Sequence, residues 1–183
     1  MILLGVGANL PSDIYGPPRA TCGAALANLH DNGTRIIQRA PWYRSAPVPM
    51  SDQPWYVNGV VSVETGASPE ELMRTLLDVE NHLGRQRGAR NAARIVDLDI
   101  LDFNGQTINA TFTGGVALQI PHPRMSERAF VTKPLRDIAP NWVHPVSGQG
   151  VSQINANLPT GQQTEPMPDA DGLFGTEWIA GEP

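Results

Sequence analysis

Hydrophobic and polar positions alternate along this chain with two periods, near 2 for strands and near 3.6 for helices. Residues 2–7 are almost all apolar and predict a first strand that runs into Gly7-Ala8-Asn9-Leu10. Residues 13–18, with Gly and Pro, read as a turn-rich loop. Ala24, Ala25, Leu26 and Leu29 predict a helix over 20–29, stopped by Asp31-Asn32-Gly33. Residues 34–43, centred on Ile36 and Ile37, and residues 55–65, with Tyr56, Val57, Val60, Val61 and Val63, predict two strands paired as a hairpin across the loop 45–53. Ser68-Pro69-Glu70-Glu71 reads as a helix start: a serine cap, a proline in the first turn and acids at the positive dipole end. Leu72, Met73, Leu76, Leu77, Val79 and Leu83 give that helix its buried face as far as Gly84. A fourth strand follows over 95–103, and Asn104-Gly105 turns the chain into a short strand around Ile108. Residues 126–138 predict a third helix, broken or bent at Pro134, and 151–158 a short last one. The order predicts an α+β fold with a ferredoxin-like βαββαβ core, its helices on one face of a mainly antiparallel sheet. The domain is expected to span 1–158. Residues 159–183, rich in Pro, Gly, Gln and acids, read as a loosely ordered C-terminal extension.

The fourth strand carries the most informative pattern. In Arg94-Ile95-Val96-Asp97-Leu98-Asp99-Ile100-Leu101, the aliphatics alternate with two aspartates. Successive strand residues face opposite ways, so Asp97 and Asp99 share a face roughly 7 Å apart along the backbone. Two carboxylates so placed repel unless a cation lies near, and Mg²⁺ with nucleotide phosphates is one solution. A half-buried strand with a solvated acidic face fits the same alternation.

Charge sharpens the choice. The 183 residues carry a formal net charge of −5, and Lys133 is the single lysine. Yet Arg85, Arg87, Arg90 and Arg94 cluster among Gly and Ala just before the aspartates. Arginine presents a planar fork that matches phosphate oxygens in pairs. A mobile arginine loop feeding paired aspartates points to a polyphosphate site. An ordinary surface loop balancing an acidic strand is the plainer account. Overall acidity argues against a nucleic-acid partner. No window approaches the roughly 20 apolar residues of a membrane span, and the start of the chain lacks a basic signal-peptide region. The lone Cys22 excludes an internal disulfide framework and fits a cytoplasmic protein.

Further segments carry candidate chemistry. Tyr56 and Asn58 share one strand face, where a ring and an amide suit the edge of a heterocycle. Glu80 stands one turn before Gly84, able to meet a ligand or an arginine. His122 lies between two prolines in an extended loop. Phe130 is placed to stack on an aromatic ligand or to fill the core.

Taken together, Gly84-Arg85-Gln86-Arg87, the Arg94-x-x-Asp97-Leu98-Asp99-Ile100 strand, Pro121-His122-Pro123-Arg124-Met125 and Arg128-Ala129-Phe130 resemble the 6-hydroxymethyl-7,8-dihydropterin pyrophosphokinases of folate synthesis. Gly7-Ala8-Asn9-Leu10 and Tyr43-Arg44-Ser45-Ala46-Pro47 match as well, so the likeness covers about 1–156. The resemblance implies transfer of pyrophosphate from ATP to the pterin hydroxymethyl group, leaving AMP. It makes Asp97 and Asp99 ligands of two Mg²⁺ ions, and Arg85 and Arg94 catalytic together with those aspartates. It places Arg87, Arg94, His122 and Arg128 on the triphosphate and Glu80 and Ile100 on the adenosine. It assigns Ser45, Ala46, Val48, Tyr56, Asn58 and Phe130 to the pterin pocket. The expected partners are these two small molecules, with the chain a monomer. Three departures stand out: a loop between Arg87 and Arg94 one residue short and without tryptophan, Ala117 in place of an arginine, and Pro123 in place of a tyrosine. A two-metal nucleotidyltransferase and a non-catalytic nucleotide-sensing module remain as alternatives.

Overall fold

The computed structural model describes residues 1–84, 94–112, 115, 117–168 and 172–175. Its centre is an antiparallel sheet. β1 (Ile2–Ala8) lies between β4 (Tyr56–Glu64) and β5 (Asp97–Phe103), antiparallel to both. β2 (Arg35–Arg39) and β3 (Tyr43–Ser45) pair in turn with the other edge of β4. One long strand over 34–43 was the expectation. Pro41 has no N–H to give a ladder, and Trp42 turns inward to complete burial. The segment therefore splits, and β3 extends to Ser45, into the expected loop.

Helices cover both faces of the sheet, not one. α1 (Pro18–Asp31) and α2 (Pro69–His82) pack on Leu4, Val6, Val61, Leu98 and Ile100. α3 (Ala129–Ile138) and α4 (Val151–Ala156) pack on Leu3, Val60 and Leu101 from the opposite side. The strands show why: β1, β4 and β5 are buried on both faces, as a strand between two layers must be. α2 begins with a capping box, in which Ser68 and Glu71 satisfy each other's backbone N–H. Pro134 neither breaks nor ends α3. The proline stands at the sixth of the ten helix positions, where its missing donor costs a single hydrogen bond to the Phe130 carbonyl. Before α3 the chain makes a short 3₁₀ turn (Met125–Glu127), and Arg128 between them is extended (φ −113°, ψ 110°).

β6 (Ile108–Thr111) pairs with β7 (Ala117–Ile120) as a small separate ribbon beside β5. Part of the segment from Pro159 onward joins the fold. β8 (Thr164–Pro166) adds to the sheet on β3, and Gly175 O accepts from both Arg19 and the Trp42 indole. Arg19 is 7 % exposed as a result. Among the described residues no helix is long and apolar enough to cross a membrane.

Candidate active site

Asp97 and Asp99 project from β5 toward the α3 face of the sheet. Their neighbours on β1 are Gly7 and Gly5, register partners of Asp97 and Asp99. Two glycines in a row on that face leave the sheet without side chains there, and a cleft of about 590 Å³ opens above it. β5 is an edge strand beyond β1, so an outward N–H needs another partner. Glu80 of α2, fully buried, supplies it: its Oε1 accepts from Leu98 N at 2.7 Å. The peptide between the two aspartates is thereby pinned. Glu80 lies behind the strand and lines neither cavity described here, so it bears on the site through β5.

The cleft is lined by Ser45, Ala46, Val48, Tyr56 and Asn58 of β3, β4 and the loop between them, by Arg94, Asp97, Asp99, His122 and Arg124, and by Arg128 and Phe130 at the start of α3. Asn58, buried, donates from Nδ2 to Ser45 Oγ at 2.8 Å. The Tyr56 hydroxyl donates to Gln53 at 3.1 Å, and burial raises its pKa. The Arg128 guanidinium lies over the Phe130 ring at 5.4 Å. Arg94 pairs with Asp97 through Nη1. Its backbone is held by Asn9: Arg94 N donates to Asn9 Oδ1 at 2.8 Å, and Asn9 N donates to Arg94 O at 3.0 Å.

A smaller cavity of about 260 Å³ adjoins on the side of the β6–β7 ribbon. Ile100, Asn109, Ala117, Leu118 and Gln119 line it, and Asp99 and His122 belong to both cavities. The site is thus two compartments joined at an aspartate and a histidine.

Electrostatics distinguishes the two carboxylates. Asp99 keeps 37 % of its side chain exposed to the cleft, yet desolvation and then Asp97 push its pKa up to about 6, against the pull of Arg128, Arg94 and Arg124. A carboxylate held in this way is short of positive charge. His122 lies 3.9 Å from Asp99. Burial, Arg128 and Arg124 press its pKa down to about 4. Its Nδ1 accepts from Arg124 N at 3.2 Å, so the neutral ring carries its proton on Nε2, the nitrogen that faces Asp99. Burial also lowers the Arg128 pKa. No cluster of three or more His, Cys, Asp and Glu ligands occurs among the described residues. Two carboxylates alone suit a hard cation that takes its remaining ligands from water and phosphate.

A family model described as 7,8-dihydro-6-hydroxymethylpterin-pyrophosphokinase matches residues 3–140. The chain belongs to this family. The matching proteins named 2-amino-4-hydroxy-6-hydroxymethyldihydropteridine pyrophosphokinase include that of Methylorubrum extorquens, 34 % identical over 85 % of this chain and 91 % of the relative. That of Synechocystis is 35 % identical over 83 % of this chain and 73 % of its own length. The folic acid synthesis protein of Pneumocystis carinii is 37 % identical over 70 % of this chain, which spans only 17 % of that longer protein. In structure the chain resembles the Plasmodium falciparum HPPK-DHPS with pteroate, with a TM-score of 0.67 at 14 % identity over 85 % of this chain and 43 % of that one, a likeness of fold.

The six residues expected for the pterin pocket line one cleft together with Arg94, Asp97, Asp99, His122 and Arg128. Ile100 lines the second cavity. Arg85 and Arg87, and the shortened loop, lie outside the described residues. Sequence reasoning gave no role to Arg124, Gln53, Asn9 or the two glycines of β1. Gly7 and Asn9 stood in a quoted motif, but only the strand pairing shows that Gly7 makes the floor and Asn9 ties down Arg94.

Proposed function

We propose that this chain transfers the β,γ-pyrophosphoryl group of ATP to the hydroxymethyl oxygen of 6-hydroxymethyl-7,8-dihydropterin, releasing AMP. The observation that carries the reading is the pair of joined compartments sharing Asp99 and His122. The pterin fits the larger one, between Phe130 on one side and Tyr56, Asn58 and Ser45 on the other. An amide and a hydroxyl there offer donors and acceptors to its polar edge, and the aromatics offer their faces. The nucleoside fits the smaller compartment beside Ile100, so that the triphosphate passes the junction.

At that junction the chain's own groups perform the positioning. Arg94 and Arg128, joined by Arg124, present fixed positive charge to the phosphate oxygens. His122, neutral, donates from Nε2 toward the same place. The pterin hydroxyl oxygen forms a bond to the β-phosphorus while the bond from that phosphorus to the bridging oxygen of the α-phosphate breaks. Asp97 and Asp99 would hold two Mg²⁺ ions, which supply charge neutralisation on the transferring phosphates and acidify the attacking hydroxyl. Burial in the cleft strengthens each of these interactions over its value in water.

Incubation with hydroxymethyldihydropterin, ATP and Mg²⁺, followed by identification of the nucleotide, tests the reading. AMP together with pterin diphosphate is expected. Released inorganic pyrophosphate would indicate nucleotidyl transfer, and unchanged ATP would indicate binding alone; either result overturns the proposal.

A further inference from the structure

The segment after α4 lies beyond the region matched to the family, yet it reaches the cleft at two places. α3 has no side-chain cap of its own at Arg128, so the N–H of Ala129 is an orphan donor of the first turn. Gln162 satisfies it from 33 residues away: its Oε1 accepts from Ala129 N at 2.9 Å. The same side chain donates from Nε2 to Glu127 O, also at 2.9 Å. One amide thus grips the two peptide groups that flank Arg128. The next residue reaches the opposite wall, where Ala46 N donates to Gln163 O at 3.1 Å and Thr164 pairs with Ser45. Lys133 of α3 then donates to Thr164 O at 2.8 Å.

Three consecutive residues therefore tie together the two walls of the larger compartment, Ser45–Ala46 and Arg128–Phe130. We propose that the 162–164 segment is a clamp that sets the spacing of these walls for a flat heterocycle, with Gln162 as a positioning residue for Phe130. The inference rests on the pterin reading of the cleft. A ring held between two surfaces depends on their separation, because a radial gap of roughly 0.5–1 Å forfeits a quarter to a half of the dispersion well. The smaller compartment is bordered by the β6–β7 ribbon, which forms a sheet separate from the one that β8 joins.

Two variants in the 183-residue chain test the clamp. Gln162→Met keeps the length and loses both hydrogen bonds; Gln162→Glu keeps an acceptor for Ala129 N. Loss of the amide contacts is expected to weaken 6-hydroxymethyl-7,8-dihydropterin binding about tenfold in Gln162→Met, with the affinity for a non-hydrolysable ATP analogue changing less than about threefold. Gln162→Glu, which keeps the acceptor for Ala129 N but sets its second oxygen against Glu127 O, is expected to recover only part of the pterin affinity. Hydrogen exchange at the Ala129 and Phe130 amides should quicken in Gln162→Met and not in Gln162→Glu. Equal loss of pterin and nucleotide affinity, or unchanged exchange at α3, overturns the clamp. If the wild-type chain fails to bind the pterin, the reading of the cleft falls, and the exchange rates alone decide whether Gln162 fixes the wall.

Discussion

Asp97 and Asp99 have the same chemistry and share a strand face, yet their surroundings set them different tasks. Asp97 pairs with Arg94, with about a third of its side chain exposed. Such a pair contributes about 0–1 kcal/mol to stability. Asp97→Ala should therefore leave the fold intact while lowering kcat on the order of 10³-fold, since metal-assisted charge stabilisation is worth several kcal/mol. AMP release and a thermal melt read the two effects separately, and turnover near wild type would defeat the assignment. Asp99 behaves differently. Its pKa in the folded protein stands near 6, above the ordinary 3.8. The folded state thus binds more protons than the unfolded one between those values, and the metal-free protein loses stability as pH rises through 6. Asp99→Asn should melt above wild type at pH 7.5 in the presence of a chelator, with the advantage vanishing near pH 4, while turnover is lost. A lower melting temperature at pH 7.5 would refute the strained state of this carboxylate.

At the level of elements, the site is made by what the strands omit. A methyl group at Gly7 of β1 would stand 2.9 Å from Asn58 Oδ1, and Asn58 is held by Ser45. Gly7→Ala is expected to raise the pterin KM several-fold with little change in stability, measured by titration and melting in parallel. Gly59 on β4 faces the other way. A methyl there would meet the Trp42 ring at 2.6 and 2.7 Å, and Trp42 has no exposure through which to retreat. Overpacking of this kind costs about 1–3 kcal/mol, so Gly59→Ala should lower the urea midpoint with the slope unchanged. The contrast assigns one glycine to the cleft and the other to the core. The same scale shows why Glu80 belongs behind the strand: an edge strand with carboxylates on its working face needs its outer N–H satisfied from elsewhere.

Across the whole molecule, two helical layers and the C-terminal segment close on one sheet, and the cleft lies on the α3 side. Ligands that bridge the two compartments bind the folded chain alone, so they should stabilise it as a unit. An ATP analogue with Mg²⁺ at 100 times its dissociation constant adds about 2.7 kcal/mol. For a chain of this size that raises Tm by roughly 5–10 °C. The gain should disappear in Asp97→Ala, and a full gain in that variant would separate the nucleotide from the aspartates.

The α+β class, most strands and helices, and the pairing of Asp97 with Asp99 follow from the sequence, because side-chain period and capping chemistry are local. So does the convergence of arginines before the strand, as charge is read residue by residue. Only the tertiary structure decides that helices cover both faces, that β3 breaks away at Pro41, that Glu80 pins β5 from behind, and that residues 162–166 join the wall of the cleft. Each of these depends on which groups meet across long stretches of chain. An orphan N–H at Leu98 or Ala129 has no signature in its own segment, and it is answered by whichever distant side chain the packing brings within reach.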